Sequence, residues 1–81
     1  ILLLYEWDRA LADFDQAITL DAAYAPAYYH RATLYYTLTQ REAALKDLRR
    51  YLQLAPSGEY ADNARAFSDS IQTELEALSA P

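Results

Sequence analysis

Residues 9–20 read RALADFDQAITL, and residues 43–54, exactly 34 positions on, read AALKDLRRYLQL. Ala10, Leu11, Asp13 and Leu20 return as Ala44, Leu45, Asp47 and Leu54, while Phe14 and Ile18 return as Leu48 and Leu52. The conserved spacing is the spacing of a helical stripe, with apolar residues three and four apart. Few folds are compatible with such a chain. A unit that states one amphipathic phrase twice at a fixed interval has to bury the same stripe twice, which points to internal repetition and stacked units.

The rest of the sequence agrees with helices. The chain has 81 residues, one glycine and three prolines, enough for one domain at most and for a core that covers roughly 60–65% of the unfolded surface. The expected fold class is all-α, with helices near residues 7–20, 25–38, 41–54 and 58–79, each antiparallel to the one before. Trp7, Ala10, Leu11, Phe14, Ala17 and Ile18 share a face of the first. Pro26 suits the first turn of the second, where its missing N–H has no intrahelical partner to lose. Thr39-Gln40-Arg41-Glu42 has the form of a capping box opening the third. Ala55-Pro56-Ser57-Gly58 breaks the chain, with Ser57 in place to cap the fourth, whose stripe is Tyr60, Ala64, Phe67, Ile71, Leu75 and Leu78. ILLLY at the start is too short for a membrane span and reads as the end of a helix that began upstream. Since Tyr5-Glu6 offers no turn residue, it is equally free to run straight into the first helix. With no methionine and an initial isoleucine, the sequence reads as a piece of a longer protein.

The formal charge of -5 argues against nonspecific binding to nucleic acid or anionic membranes, which demands a dense cationic surface. The charge is also segregated: residues 1–22 sum to -4, residues 23–56 to +3 and residues 57–81 to -4. Arg41, Lys46, Arg49 and Arg50 of the basic middle lie on one expected helix. Two readings follow, a solvated face answering acidic neighbours or a patch that binds a partner. The absence of cysteine rules out disulfides and thiol chemistry and leaves the compartment open.

No convergent catalytic group is visible. His30 has Pro26 and Leu34 one turn away, which supplies neither a second metal ligand nor an orienting carboxylate. Asp13 and Asp15, like Glu74 and Glu76, are two apart on a helix and point to different faces. Gly58 is alone, so there is no glycine-rich phosphate loop. No cofactor and no metal site is implied.

Residues 27–56, AYYHRATLYYTLTQREAALKDLRRYLQLAP, resemble the tetratricopeptide repeat, a 34-residue unit of two helices, A and B. Tyr28, Ala32 and Tyr35 match the signature of helix A, Ala44, Leu48 and Leu52 that of helix B, and Pro56 the closing proline. Counting back, EWDRALADFDQAITLDA resembles helix B of a preceding repeat, with Trp7 at its aromatic opening. The resemblance divides the single domain, 1–81, into the end of helix A and helix B of a first repeat (1–22), a second repeat (23–56) and a capping helix (57–81). Ala32 and Thr39 stand where glycine is common. For the last helix, strict 34-residue spacing places Asp62 and Asp69 at packing positions, whereas a shift of about two residues places Tyr60, Ala64 and Phe67 there.

The resemblance implies an α-solenoid that holds a protein or peptide partner without catalysis, with Tyr29, His30, Thr33, Tyr36 and Thr37 on the concave face and Tyr28 and Tyr35 in the core. The lysine and asparagine with which co-chaperone members grip carboxylates have no counterpart in that strip. An alternative is a structural module that associates with a second copy through the incomplete first repeat, by Leu3, Leu4, Trp7, Leu11 and Phe14. Arg31, the one cation of its helix, lies 18 residues after Asp13, and Arg65 lies 18 after Asp47. These two intervals suggest ion pairs repeated at successive junctions.

Overall fold

The computed structural model describes residues 2–80, with side chains from residue 6 onward. It consists of four helices, α1 (Leu2–Leu20), α2 (Ala25–Thr37), α3 (Arg41–Leu54) and α4 (Ala61–Ser79), and among the described residues there is no strand. Contacts connect each helix to the next. The direction of each follows from particular pairs. Early Tyr28 of α2 meets late Arg50 of α3, and late Tyr36 meets early Arg41, so α2 and α3 run antiparallel. Tyr29 meets Tyr60 at the start of α4, and Tyr36 meets Phe67 further along it. Hence α4 runs parallel to α2.

The core follows the apolar stripes. Ala32 on α2, Ala44 and Leu48 on α3, and Ala64 and Ile71 on α4 are fully enclosed, and Tyr51 is 2% exposed. The alanine that replaces glycine at position 32 is small enough for its helix to sit close against α3. On α4 the shifted register is the one adopted: Ala64 and Ile71 are buried, Tyr60 and Phe67 half-buried, and Asp62 and Asp69 exposed. The opposite side of α4 carries Asp62, Asn63, Asp69, Gln72, Thr73 and Glu76, all exposed. Tyr28 is buried and its hydroxyl donates to the Ala22 carbonyl at 2.8 Å. Tyr35 is half-buried against the core.

Residues 2–20 form one unbroken helix. Tyr5 and Glu6 lie within it, so no turn separates residues 2–5 from Trp7. Leu3 and Leu4, named above for self-association, lie outside the residues whose side chains are described.

Two expected caps are not formed. Thr39 does not open α3; Gln40 holds the capping position and no side chain caps that end. Thr39 instead closes α2, in the left-handed region at φ 63°. Its N–H donates to the Tyr36 carbonyl at 2.9 Å and the Gln40 N–H to the Tyr35 carbonyl at 2.8 Å, the paired bonds of a Schellman closure. A three-residue connection between two helices leaves no room for both a left-handed residue and a capping box on the same threonine. Ser57 likewise does not cap α4, which starts at Ala61 after a turn. That turn is packed against Tyr51, whose phenolic oxygen accepts the Tyr60 N–H at 2.9 Å. A Cβ on Gly58 would stand 2.6 Å from that same oxygen and 2.8 Å from the Ala55 Cβ, so glycine is needed there for close approach.

The left-handed threonine gives a direct test. A β-branched residue in this conformation carries about 1–2 kcal/mol of strain that glycine lacks. Thr39→Gly is expected to raise the thermal midpoint, by about 4–8 °C for each kcal/mol regained in a domain of this size. A melting curve followed by circular dichroism reads this, and an unchanged or lowered midpoint would contradict the strain.

Candidate functional site

One face of α2 is assembled largely from aromatic rings. Tyr29 stacks flat on Tyr60, with ring centroids 4.4 Å apart and planes 6° from parallel. His30 meets Tyr60 edge-on at 5.2 Å and stacks on Phe14 of α1 at 6.0 Å. Tyr51 of α3 adds a tilted ring 5.7 Å from Tyr29. The group joins α1, α2, α3 and the turn before α4, and such aromatic contacts each contribute about 0.5–1.5 kcal/mol beyond burial. The charge of Glu59 beside Tyr60 pushes its phenol above the ordinary tyrosine range, with part burial acting in the same direction.

Two turns along, Tyr36 is fixed differently. Its hydroxyl donates to Glu74 Oε1 at 2.7 Å, its ring meets Phe67 edge-on at 5.1 Å, and the Arg41 guanidinium lies 5.7 Å from the ring centre. Arg41 Nε also reaches Glu74 Oε2 at 3.3 Å. Thr33, between these tyrosines, donates its hydroxyl to the His30 carbonyl, and Thr37, just after Tyr36, donates to the Thr33 carbonyl.

Of the five residues singled out on this helix, Tyr29, His30, Thr33 and Tyr36 are half-buried and Thr37 is exposed. The structure brings Tyr29 and His30 into one cluster, and Tyr36 into another with α4. Sequence reasoning did not anticipate Tyr60, Phe67 and Glu74 as their neighbours. The signal was present in the apolar stripe of the last helix, but which helix α4 lies beside is a property of the packed fold. Among the described residues there is no group of three or more histidine, cysteine, aspartate or glutamate side chains placed to hold a metal, and no helix is long and apolar enough to cross a membrane.

On another side of α2, Arg31 turns away from these rings. Its Nε and Nη2 donate to the two carboxylate oxygens of Asp47 on α3 at 2.7 and 2.8 Å, and its Nη1 to Asp15 on α1 at 2.8 Å. The Tyr28 and Tyr35 ring centres lie 5.7 and 5.6 Å from the guanidinium carbon. Hydrogen bonding to Asp47 is the main cause of a guanidinium pKa raised still further above its ordinary value, against the opposing effect of burial. The expected partner, Asp13, is not the one used. Both actual partners are 16 residues from Arg31, one before and one after; with Nε and Nη2 committed to Asp47, Nη1 is taken by Asp15. The equivalent pair is also absent: Asp47 is already taken, and Arg65 bonds Asp62 on its own helix and the Pro56 carbonyl. With its donors engaged by two acids, Arg31 is removed from the candidates for ligand binding.

Helix pairs joined by short turns, a 34-residue internal period and alanines at the close approaches all accompany a match of residues 4–67 to the model of the tetratricopeptide repeat. The chain belongs to the tetratricopeptide repeat family. Within this repeat protein, residues of similar sequence occur in much longer relatives. It is 40% identical over 47 residues to the serine/threonine-protein phosphatase T of Trypanosoma brucei brucei, 58% of this chain and 10% of the phosphatase. It is 37% identical over 68 residues to the UPF0162 protein of Xylella fastidiosa, 84% of this chain and 24% of that protein. Sperm-associated antigen 1 of Mus musculus is 36% identical over 58 residues, 72% of this chain and 6% of the antigen. The repeat chain thus spans a quarter or less of the length of these relatives. No solved structure matches it significantly.

Two outcomes follow from this geometry. Asp47 is 4% exposed, and removing the partner of a buried charge costs about 3–5 kcal/mol, whereas replacing both members by apolar residues is often close to neutral. Arg31→Ala is therefore expected to lower stability by roughly 3 kcal/mol and Arg31→Met with Asp47→Leu by much less. Asp15, whose side chain is 53% exposed, is expected to cost only about 0–1 kcal/mol as Asp15→Ala. Urea titrations of the four proteins decide this, and equal losses for Arg31→Ala and Asp15→Ala would contradict it.

Tyr36 provides the second outcome. Its hydrogen bond to Glu74 is the main cause of a phenol pKa raised above the ordinary tyrosine value. The bond's contribution is complete below the pKa of an unfolded tyrosine and declines as pH rises through the folded one, because the unfolded chain loses its proton first. Tyrosine ring NMR should show Tyr36 deprotonating late, and Glu74→Gln should bring its titration earlier. No change on that substitution would sink the assignment.

Proposed function

We propose that this chain contributes to holding a peptide or protein partner noncovalently, using the α2 face of Tyr29, His30, Thr33, Tyr36 and Thr37, and that it performs no chemistry on that partner. Membership of the tetratricopeptide repeat family supports the general reading. The particular observation that carries it is that Tyr29, His30 and Tyr36 stay half-exposed while their rings are held on a second helix or its turn. Such half-covered aromatic residues combine broad apolar contact with polar tips, as recognition surfaces require. The polar outer side of α4 supports a capping role for residues 57–81, since the end of a repeat array needs one apolar and one polar face.

The test is a photo-crosslinking group placed at position 37, where Thr37 is exposed and its substitution disturbs no other helix. Partner peptides captured from a random peptide library should then lose at least about tenfold in affinity, or about 1.4 kcal/mol, when Tyr29→Ala is introduced. Circular dichroism confirms that the variant remains helical. Captured peptides that bind Tyr29→Ala and Tyr36→Ala as tightly as the parent would refute the role of this face.

Self-association through α1 is a second reading. It is favoured by Trp7, Leu11 and Phe14, which remain only half-buried where their counterparts Leu45 and Leu48 on α3 are 6% and 0% exposed. Light scattering over a concentration series separates the two readings, because a monomer throughout excludes the second.

A further inference from the structure

A cleft of about 770 Å³ opens along α3, bounded by side chains of α2 and α4, with Tyr28, Leu45 and Leu75 among its apolar lining. Lys46, Arg49 and Arg50 also line it and are exposed. Two acids, Glu42 and Asp47, are in the same lining, but Asp47 is engaged by Arg31, which leaves three cations against Glu42. If this face were merely solvated, the acid excess of the chain ought to answer those cations. It does not: among the described residues no carboxylate comes within ion-pair distance of Lys46, Arg49 or Arg50. The arginines are oriented instead by neutral groups. Arg49 donates to Gln72 at 2.8 Å, and Arg50 donates to Gln53 at 3.1 Å while lying 6.0 Å from the centre of the Tyr28 ring. Each is directed by a neutral group, and among the described residues neither forms an ion pair.

We propose that this cleft is a second docking site, distinct from the α2 face and independent of it, that takes an extended acidic peptide segment through its side-chain carboxylates. Lys46 and Arg50, one turn apart, are separated by about 6 Å along the helix axis. Same-side residues of an extended peptide are separated by about 6.8 Å, so acids at alternate positions meet successive cations. Arginine forks oriented in advance favour carboxylates in bidentate geometry, and Leu75, half-buried at the edge, offers a seat for a neighbouring apolar side chain. Nucleic acid is disfavoured as the occupant. Three cations supply few phosphate contacts, and the -4 charge of residues 1–22 and again of residues 57–81 repels a long polyanion.

Fluorescence anisotropy with the 81-residue chain tests the proposal, using a labelled peptide of alternating glutamate and alanine, its glutamine counterpart and a single-stranded oligonucleotide. The glutamate peptide should bind, the glutamine peptide should not, and added salt should weaken the complex as it screens the charges. Lys46→Glu and Arg49→Glu should each weaken binding at least about tenfold, with the milder Lys46→Gln and Arg49→Gln giving the same order if a reversal impairs folding. Amide NMR perturbations should fall on α3 and around Gln72 and Leu75 of α4, and Tyr29→Ala should have no effect, which separates failure here from failure of the α2 face. The proposal is overturned if the glutamate peptide does not bind or ignores the charge changes, if the oligonucleotide binds as tightly, or if the perturbations spare the lining of this cleft. It is also overturned if light scattering shows a dimer that Lys46→Glu or Arg49→Glu disperses, because the cleft is then occupied by a second copy of the chain.

Discussion

Asp47 is the buried charge around which the arrangement of the first three helices is set. A carboxylate at 4% exposure is tolerable only when its oxygens are engaged, and both are engaged by one guanidinium. Because Arg31 comes from α2, Asp47 from α3 and Asp15 from α1, the need to satisfy that one acid fixes how α2 slides and rotates against its neighbours. Hydrophobic stripes alone tolerate displacement along a helix; a bidentate ion pair does not. The flanking Tyr28 and Tyr35 rings limit the guanidinium further. The opposite side of α2 is then presented to α4 and its preceding turn, where Tyr29 and Tyr36 find Tyr60, Phe67 and Glu74. An electrostatic constraint on one side of a helix thereby positions an aromatic surface on the other.

Much of the fold was legible because it is written in periodicity. The stripes and the prolines near the starts and ends of helices located α2, α3 and α4 closely, while α1 begins at Leu2, ahead of the expected Trp7, and the packing failure of Asp62 and Asp69 was enough to expose the shifted register of α4. The errors share one cause. Thr39, Ser57 and the Asp13–Arg31 pair were each assigned from a residue type and an interval, whereas the outcome was decided by competition in three dimensions. Thr39 closes the earlier helix before it can open the later one. Ser57 yields to a turn held by Tyr51, and Asp13 loses Arg31 to two other acids. Intervals specify which helix a residue is on, but a long arginine side chain can select among several acids at similar distances.

The candidate sites were legible to different degrees. The α2 strip followed from the family's pattern, yet Tyr60 and Phe67, which meet Tyr29 and Tyr36, belong to a later segment of the chain, and no local signal links Tyr29 with Tyr60. For the cations of α3 the sequence left two readings open. The folded surface divides them: Arg41 is answered by Glu74, while among the described residues Lys46, Arg49 and Arg50 form no ion pair, a distinction that composition conceals since the chain as a whole has acids in excess.

The rings of Tyr29 and Tyr36 have a bearing on the entropy of association. Immobilising a rotamer-rich side chain at an interface ordinarily costs about 0.5–1.5 kcal/mol. Here the loss has occurred already, during folding, as Tyr29 is stacked against Tyr60 and Tyr36 is anchored by Glu74. Under the proposed use of this face, a ligand would meet side chains whose conformations are already chosen, so that selectivity would rest on matching a set contour of rings.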